Sequence, residues 1–178
     1  MKKILFCFLS LISIFFNASC SFIEYLTSPT ATEKELISNA IECDISDGKI
    51  TVFEDTHGGF HGDGWLYANI VFENADFRED IANRWNPLPL TENLNIVCYG
   101  GIDKQGNRRS PHIKDDEGNS RLTEINDGYY YFKDRFNENM NDRYDDSRLF
   151  NIDRYSMNYT FAIYDNVTNT LYVFEFDT

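Results

Sequence analysis

The stretch D-T-H-G-G-F-H-G-D-G, residues 55–64, holds the side chains of this sequence that are best suited to chemistry. His57 and His61 lie four residues apart, and Asp55 and Asp63 flank them. Imidazole nitrogens and carboxylate oxygens are good ligands for Zn²⁺ and similar ions, and they also serve in acid–base catalysis. The residue types therefore suggest a functional loop, with a metal site as one form of it.

A glycine-rich connection between two strands would explain the same residues. Gly58 and Gly59 disfavour a helix, so the spacing of the histidines does not place both rings on one face. A catalytic zinc ion usually has three protein ligands, and the third histidine, His112, is remote in the sequence. Aspartates in such connections commonly accept backbone hydrogen bonds. We therefore assign no metal and no cofactor, and residues 55–64 stay a candidate loop.

Other catalytic patterns are missing from the sequence. It contains no G-x-S-x-G motif, no phosphate-binding loop and no H-E-x-x-H motif, and its acidic runs do not match the spacing of a calcium loop. We therefore favour a binding protein over an enzyme.

Two further pairs of residues are candidates. Cys43 and Cys98 are an even pair in a chain that we expect to be exported, which predicts a disulfide, with two buried free thiols as the alternative. In Y-Y-Y-F-K-D-R, adjacent tyrosines must point to both faces of a strand. Tyr129 and Tyr131 therefore form a candidate binding surface, because tyrosine offers contact area and a polar group. An amphipathic sheet edge would use the same residues.

Periodicity predicts the elements that must position these side chains. A capping box, Thr32 with Glu35, begins a helix over 32–42, and an apolar stripe predicts a second over 75–85. Runs rich in β-branched and aromatic residues predict strands at 49–55, 65–74, 93–100, 129–135 and, as a hairpin around D-N-V-T-N-T, two within 158–178. The fold class is α+β: a mainly antiparallel sheet of about six strands with two short helices, in a single domain over 32–178.

The N-terminus predicts export. M-K-K precedes an apolar run of 13 residues, which is shorter than the ~20 that a spanning helix needs. Small residues then lead to Cys20, as in a lipoprotein signal. We predict an export signal over 1–19, a tether over 20–31 and a fatty-acyl anchor such as palmitate on Cys20. Cleavage a residue or two later would instead give a secreted or periplasmic soluble protein.

Charge narrows the choice of partners. The chain carries a formal net charge of −13, and removal of the signal takes away two lysines and no acidic residue. Such a surface repels phosphate backbones and anionic headgroups, so we expect no nucleic acid and no basic membrane patch. Contact with the membrane should come through the lipid, and the other partner is an unknown protein or envelope ligand.

The segments D-T-H-G-G-F-H-G-D-G, N-P-L-P-L, D-G-Y-Y-Y-F-K-D-R and N-Y-T-F-A-I-Y-D-N-V-T-N-T-L-Y-V-F-E-F-D-T resemble a group of small, uncharacterised exported bacterial proteins, candidate lipoproteins. The resemblance covers the chain from about Asp44 to the end. It implies no activity and transfers no functional residue.

The function expected from the sequence is that of a lipid-anchored cell-envelope protein that binds a ligand without catalysis. One alternative is an envelope hydrolase that uses His57 and His61, with or without a metal ion. Another is a small acidic inhibitor or immunity protein that blocks a basic enzyme.

Overall fold

The chain forms an antiparallel sheet with helices on both faces. A computed structural model describes residues 32–58, 62–136, 142–151 and 153–178. Within these ranges the helices are α1 (Glu33–Ile41), α2 (Asp76–Ile81) and α3 (Glu92–Tyr99). The strands are β1 (Lys49–Asp55), β2 (Gly64–Val71), β3 (Asn86–Pro87), β4 (Gly101–Ile102), β5 (Arg108–Arg109), β6 (Gly128–Asp134), β7 (Tyr159–Asp165) and β8 (Thr170–Asp177). Cys20, with the predicted signal and tether, and His61 lie outside the described residues.

Six of these strands make the main sheet, in the order β1-β2-β8-β7-β6-β3, and every neighbouring pair is antiparallel. The α+β class is confirmed, as are both predicted helices and all but one of the predicted strands. The sixth strand of the sheet is the two-residue β3, in the segment that follows α2. Contacts group Glu33–Thr178 into one compact unit.

Both faces of the sheet are buried. On one face, Leu66 and Ile70 of β2 belong to a cluster with Ile37 of α1 and Phe77 of α2. On the other face, Tyr67 of β2 and the alternate residues of β7 and β8 pack with α3. We call these the α1–α2 face and the α3 face. A sheet covered on both sides needs apolar residues at successive positions, which explains why β7 is buried almost throughout.

Helix α3 corrects the prediction of a strand at 93–100. Thr91 caps the helix, because its side-chain oxygen accepts a hydrogen bond from the Leu94 amide at 3.2 Å. Gly100 ends it at a φ of 74°, a left-handed value that favours glycine. Leu94 and Cys98, four residues apart, share the side that meets the sheet. The apolar residues that suggested a strand belong to a helix that is buried over most of its surface.

The predicted disulfide is wrong, since Cys43 and Cys98 are both free and buried. Cys43 belongs to the cluster on the α1–α2 face and Cys98 to the cluster on the α3 face, so the sheet separates the two sulfurs. Cys43 Sγ lies 3.3 Å from Asp80 Oδ2 and 2.8 Å from Arg84 Nη2. Burial, reinforced by the Asp80 carboxylate, raises the pKa of Cys43 to about 12, so this thiol stays protonated and unreactive.

A buried ion pair joins the end of β6 to the segment before β7. Arg154 donates two hydrogen bonds to the Asp134 carboxylate, at 2.6 and 3.0 Å, and both side chains are at most 4% exposed. A charge left alone at such a place would be desolvated without compensation.

Replacing Arg154 with methionine should therefore lower the free energy of unfolding by about 3–5 kcal/mol, because the buried Asp134 carboxylate loses its ion pair and two of its hydrogen bonds. Lys104→Met is the matched control: its pair with Glu92 is long, at 4.0 Å, and solvent-exposed, so it should cost less than about 1 kcal/mol. Urea unfolding measures both values. Equal losses in the two variants would contradict the assignment.

Candidate functional site

The histidine stretch is tied to the sheet by contacts between His57 and two carboxylates. His57 Nδ1 lies 2.7 Å from Asp55 Oδ1, and its Nε2 lies 3.0 Å from Asp177 Oδ2 at the end of β8. Asp177 also accepts a hydrogen bond from Arg135 at 3.0 Å. Both ring nitrogens of His57 are thus occupied, so metal binding or base catalysis would require one of these contacts to break. Within the described residues, Asp63 is exposed and makes no side-chain hydrogen bond.

The geometry of this stretch is that of an anchored connection. The Asp55 carboxylate also accepts the backbone amide of His57 at 2.9 Å, which is the local turn bond expected of such an aspartate. No group of three or more His, Cys, Asp or Glu side chains among the described residues could hold a metal ion. His61 lies outside those residues.

The candidate tyrosines share the α1–α2 face and are not an open surface. Tyr131 is 7% exposed, and Tyr129 packs partly buried against the same cluster. Tyr131 instead forms a wall of a cavity of about 400 Å³ at the outer edge of β6. We call it the β6-edge cavity, and its lining includes Glu42, Arg84, Trp85, Asn86, Tyr131 and Tyr144.

Five aromatic residues line this cavity, and the rings of three of them, Trp85, Tyr131 and Tyr144, are neighbours. The Trp85 and Tyr131 ring centroids are 5.6 Å apart, and those of Tyr131 and Tyr144 are 6.1 Å apart. Trp85 and Tyr131 are buried, whereas Tyr144 is 48% exposed and forms the rim. The volume is within the range of small-molecule sites, about 300–1,000 Å³.

Glu42 supplies the charged group of the cavity. Its carboxylate is 38% exposed and accepts hydrogen bonds from Lys133 Nζ at 2.8 Å and from the Tyr144 hydroxyl at 3.1 Å. Arg143 lies 3.8 Å away. The Lys133 hydrogen bond, with help from Tyr144 and Arg143, lowers the pKa of Glu42, so the carboxylate is ionised at neutral pH.

The backbone of Glu42 is unusual for its residue type. It follows α1 at a φ of 55°, and the next amide, that of Cys43, donates to Ser38 O at 3.1 Å. This is a Schellman ending, in which the left-handed position is usually glycine. A non-glycine residue there costs about 1–2 kcal/mol. The other described non-glycine residue with positive φ is Asn169, a type that tolerates this conformation in turns.

The Tyr131 hydroxyl is buried, makes no hydrogen bond of regular geometry with a described residue, and lies beside the Glu42 carboxylate. Burial and then the neighbouring Glu42 carboxylate raise its pKa, so the hydroxyl keeps its proton. A buried polar group without a well-formed hydrogen bond costs about 1–3 kcal/mol.

A second, smaller cavity lies on the α3 face, next to His112. It measures about 220 Å³, and its lining includes Trp65, Tyr67, Phe174 and Phe176 from the paired strands β2 and β8. His112 Nδ1 is 2.6 Å from the Tyr159 hydroxyl. Burial, followed by the charges of Lys114 and Arg109, lowers the pKa of His112 to about 4, so the ring is neutral at physiological pH.

Sequence reasoning missed Glu42, Trp85 and Tyr144 as site residues. Trp85 belongs to the apolar stripe that predicted the second helix, which indicated a core residue, and it does pack in the core. A clue to Glu42 was available, because the end of α1 has neither the glycine nor the asparagine that usually follows a helix. Nothing in the spacing connects Glu42 with Tyr131 and Tyr144, which are about 90 and 100 positions away.

No protein-family model matches the chain, and no curated protein or solved structure is similar to it. None of the helices within the described ranges is long and apolar enough to cross a membrane.

The buried His112 predicts a pH-dependent stability. An unfolded histidine binds a proton below about pH 6.5, whereas the folded ring resists protonation down to about 4, so stability should be full above about pH 6.5 and fall towards pH 4. Relative to His112→Gln, the wild type should lose on the order of 2–3 kcal/mol between pH 7 and 4. Urea unfolding at both pH values gives this difference. Parallel pH profiles would contradict the assignment.

Proposed function

We propose that the protein is a lipid-anchored binding domain of the cell envelope, without catalysis of its own, and that the β6-edge cavity holds a saccharide unit. The observation that carries the proposal is Glu42. An accessible, ionised carboxylate occupies a backbone position where glycine would be more stable. Functional sites are where such local conflicts concentrate, because the side chain is needed for something other than folding.

The cavity walls fit a polyhydroxylated ring. A sugar ring presents C–H groups on its faces and hydroxyl groups around its perimeter. Trp85 and Tyr144 offer aromatic faces for the C–H groups, and the Glu42 carboxylate can accept two hydroxyl protons. Arg84 and Asn86 also line the cavity and bring donors for sugar oxygens.

The local charge argues against a cationic ligand. Aromatic cages with a carboxylate can bind quaternary ammonium groups, but here Lys133 and Arg143 already lie against Glu42. Arg84 adds a third positive charge beside the cavity, paired with Asp80 at 2.9 Å. These cations repel a cationic ligand, and the net negative charge of the protein repels an anionic one. A neutral ligand meets neither repulsion.

The residues also favour binding over hydrolysis. Glycosidases generally use two carboxyl groups, one on each side of the scissile bond. Among the described residues that line the cavity, Glu42 is the single carboxylate. One carboxylate held by cations is suited to accepting hydrogen bonds and poorly suited to donating a proton.

The proposal of a lipid anchor rests on the sequence around Cys20. Mass spectrometry of the N-terminal peptide from cells should find a fatty-acylated Cys20, since a cysteine at the end of an export signal is the acceptor for such lipids. An unmodified N-terminus at Ser21 or beyond would contradict the anchor and leave the cavity unaffected.

Replacing Glu42 with glycine separates binding from folding. The change removes the carboxylate but relieves the left-handed backbone, so the free energy of unfolding should change by less than about 1 kcal/mol. Binding to insoluble envelope polysaccharide, freed of protein, should weaken about tenfold or more, because hydrogen bonds to a charged group are worth about 1.5–3 kcal/mol. Co-sedimentation with increasing polysaccharide measures the affinity.

Glu124→Gly is the matched control, because Glu124 is an exposed carboxylate outside the cavity. It should bind as the wild type does. Undiminished binding by Glu42→Gly, or failure of the wild type to sediment with the polysaccharide, would contradict the proposal.

A further inference from the structure

The outer edge of β6 is covered at both ends. Near its start, β3 pairs with it at Tyr130, and the Leu88 amide donates to Gly128 O at 3.1 Å. At its end, the Asp134 amide donates to Arg143 O at 2.6 Å. The even-numbered residues of β6 therefore direct their backbone groups away from β7.

Phe132 lies between these two covered points. By the alternation of the strand, its N–H and C=O also point to the outer side, and neither has a hydrogen-bond partner there among the described residues. Arg84, which would face it if β3 were longer, instead donates its amide to Ile81 O at 2.9 Å. Phe132 lines the β6-edge cavity, so this open piece of edge belongs to the site.

An open donor and acceptor on one strand edge are a ready place for a ligand. The Phe132 side chain is buried on the α3 face, so the residue as a whole is 3% exposed, and buried backbone groups are nearly always paired. A ligand that fits must bring an acceptor for the N–H and a donor for the C=O, both on the same side. A trans amide alone cannot do this, because its own N–H and C=O point in opposite directions.

We infer that the saccharide is a 2-acetamido sugar, whose acetamido carbonyl accepts the Phe132 N–H and whose neighbouring hydroxyl donates to the Phe132 C=O. This rests on the proposed function and adds the substituent that the cavity selects. The acetyl methyl group is apolar and finds the rings of Trp85 and Tyr131 beside it. The Glu42 carboxylate remains for the other ring hydroxyls.

Methyl glycosides of N-acetylglucosamine and glucose test the inference, because they differ only in the substituent at one carbon. Each is titrated into the ¹⁵N-labelled protein, and chemical shifts are followed by NMR. The N-acetylglucosamine glycoside should bind about tenfold tighter or more, and the Phe132 amide proton should move downfield as its hydrogen bond forms. Glu42→Gly, checked for an unchanged folded spectrum, should weaken the binding of both sugars.

The outcomes separate this inference from the proposed function. Equal affinities, or an unmoved Phe132 amide while the cavity side chains respond, would overturn the acetamido assignment and leave the saccharide site in place. No binding by either sugar, together with no sedimentation on envelope polysaccharide, would overturn both. Tighter binding of N-acetylalanine N-methylamide than of the acetamido sugar would also overturn the inference and identify the edge as a peptide site.

Discussion

The burial of β7 on both faces is the constraint on which the rest of the structure depends. Its residues from Tyr159 to Tyr164 are all buried, so each face of the sheet needs a cover. Helices α1 and α2 cover one face, and α3 with the long connections covers the other. The segment that covers the second face is the helix α3, which carries Cys98. The sheet therefore lies between Cys98 and Cys43. The edge of the sheet, where neither cover is complete, is where the cavity lies.

The β6-edge cavity lies where the chain departs from two arrangements that would be locally more stable. Glycine would end α1 with less strain, and a longer β3 would close the edge of β6 at Phe132. The chain has neither, and both departures lie against the same cavity. A single local conflict is common in a folded protein, but here two lie against one cavity, beside the buried Tyr131 hydroxyl.

The charged residues at the strand ends have a different role. His57 joins Asp55 to Asp177, and Arg135 continues the contacts from Asp177 to Glu175 at 2.9 Å. These side chains link the β1–β2 connection to the C-terminal strand and to the end of β6. Their partners are provided within the protein, whereas the polar groups of the cavity are partly unpaired. This contrast explains why His57, one of the most conspicuous residues in the sequence, is a weaker candidate for the site than Glu42.

The sequence by itself determined the α+β class, α1, α2 and the main strands except β3, because their signals are local: a capping box, an apolar stripe, and alternation between turn residues. Only the tertiary structure decided α3, the separation of Cys43 from Cys98, and the site. Leu94, Ile96 and Cys98 fit both a strand and a buried helix, and the Thr91 cap with the uncovered sheet face settles the choice. Glu42, Trp85, Tyr131 and Tyr144 meet through long-range packing, which no spacing along the chain encodes.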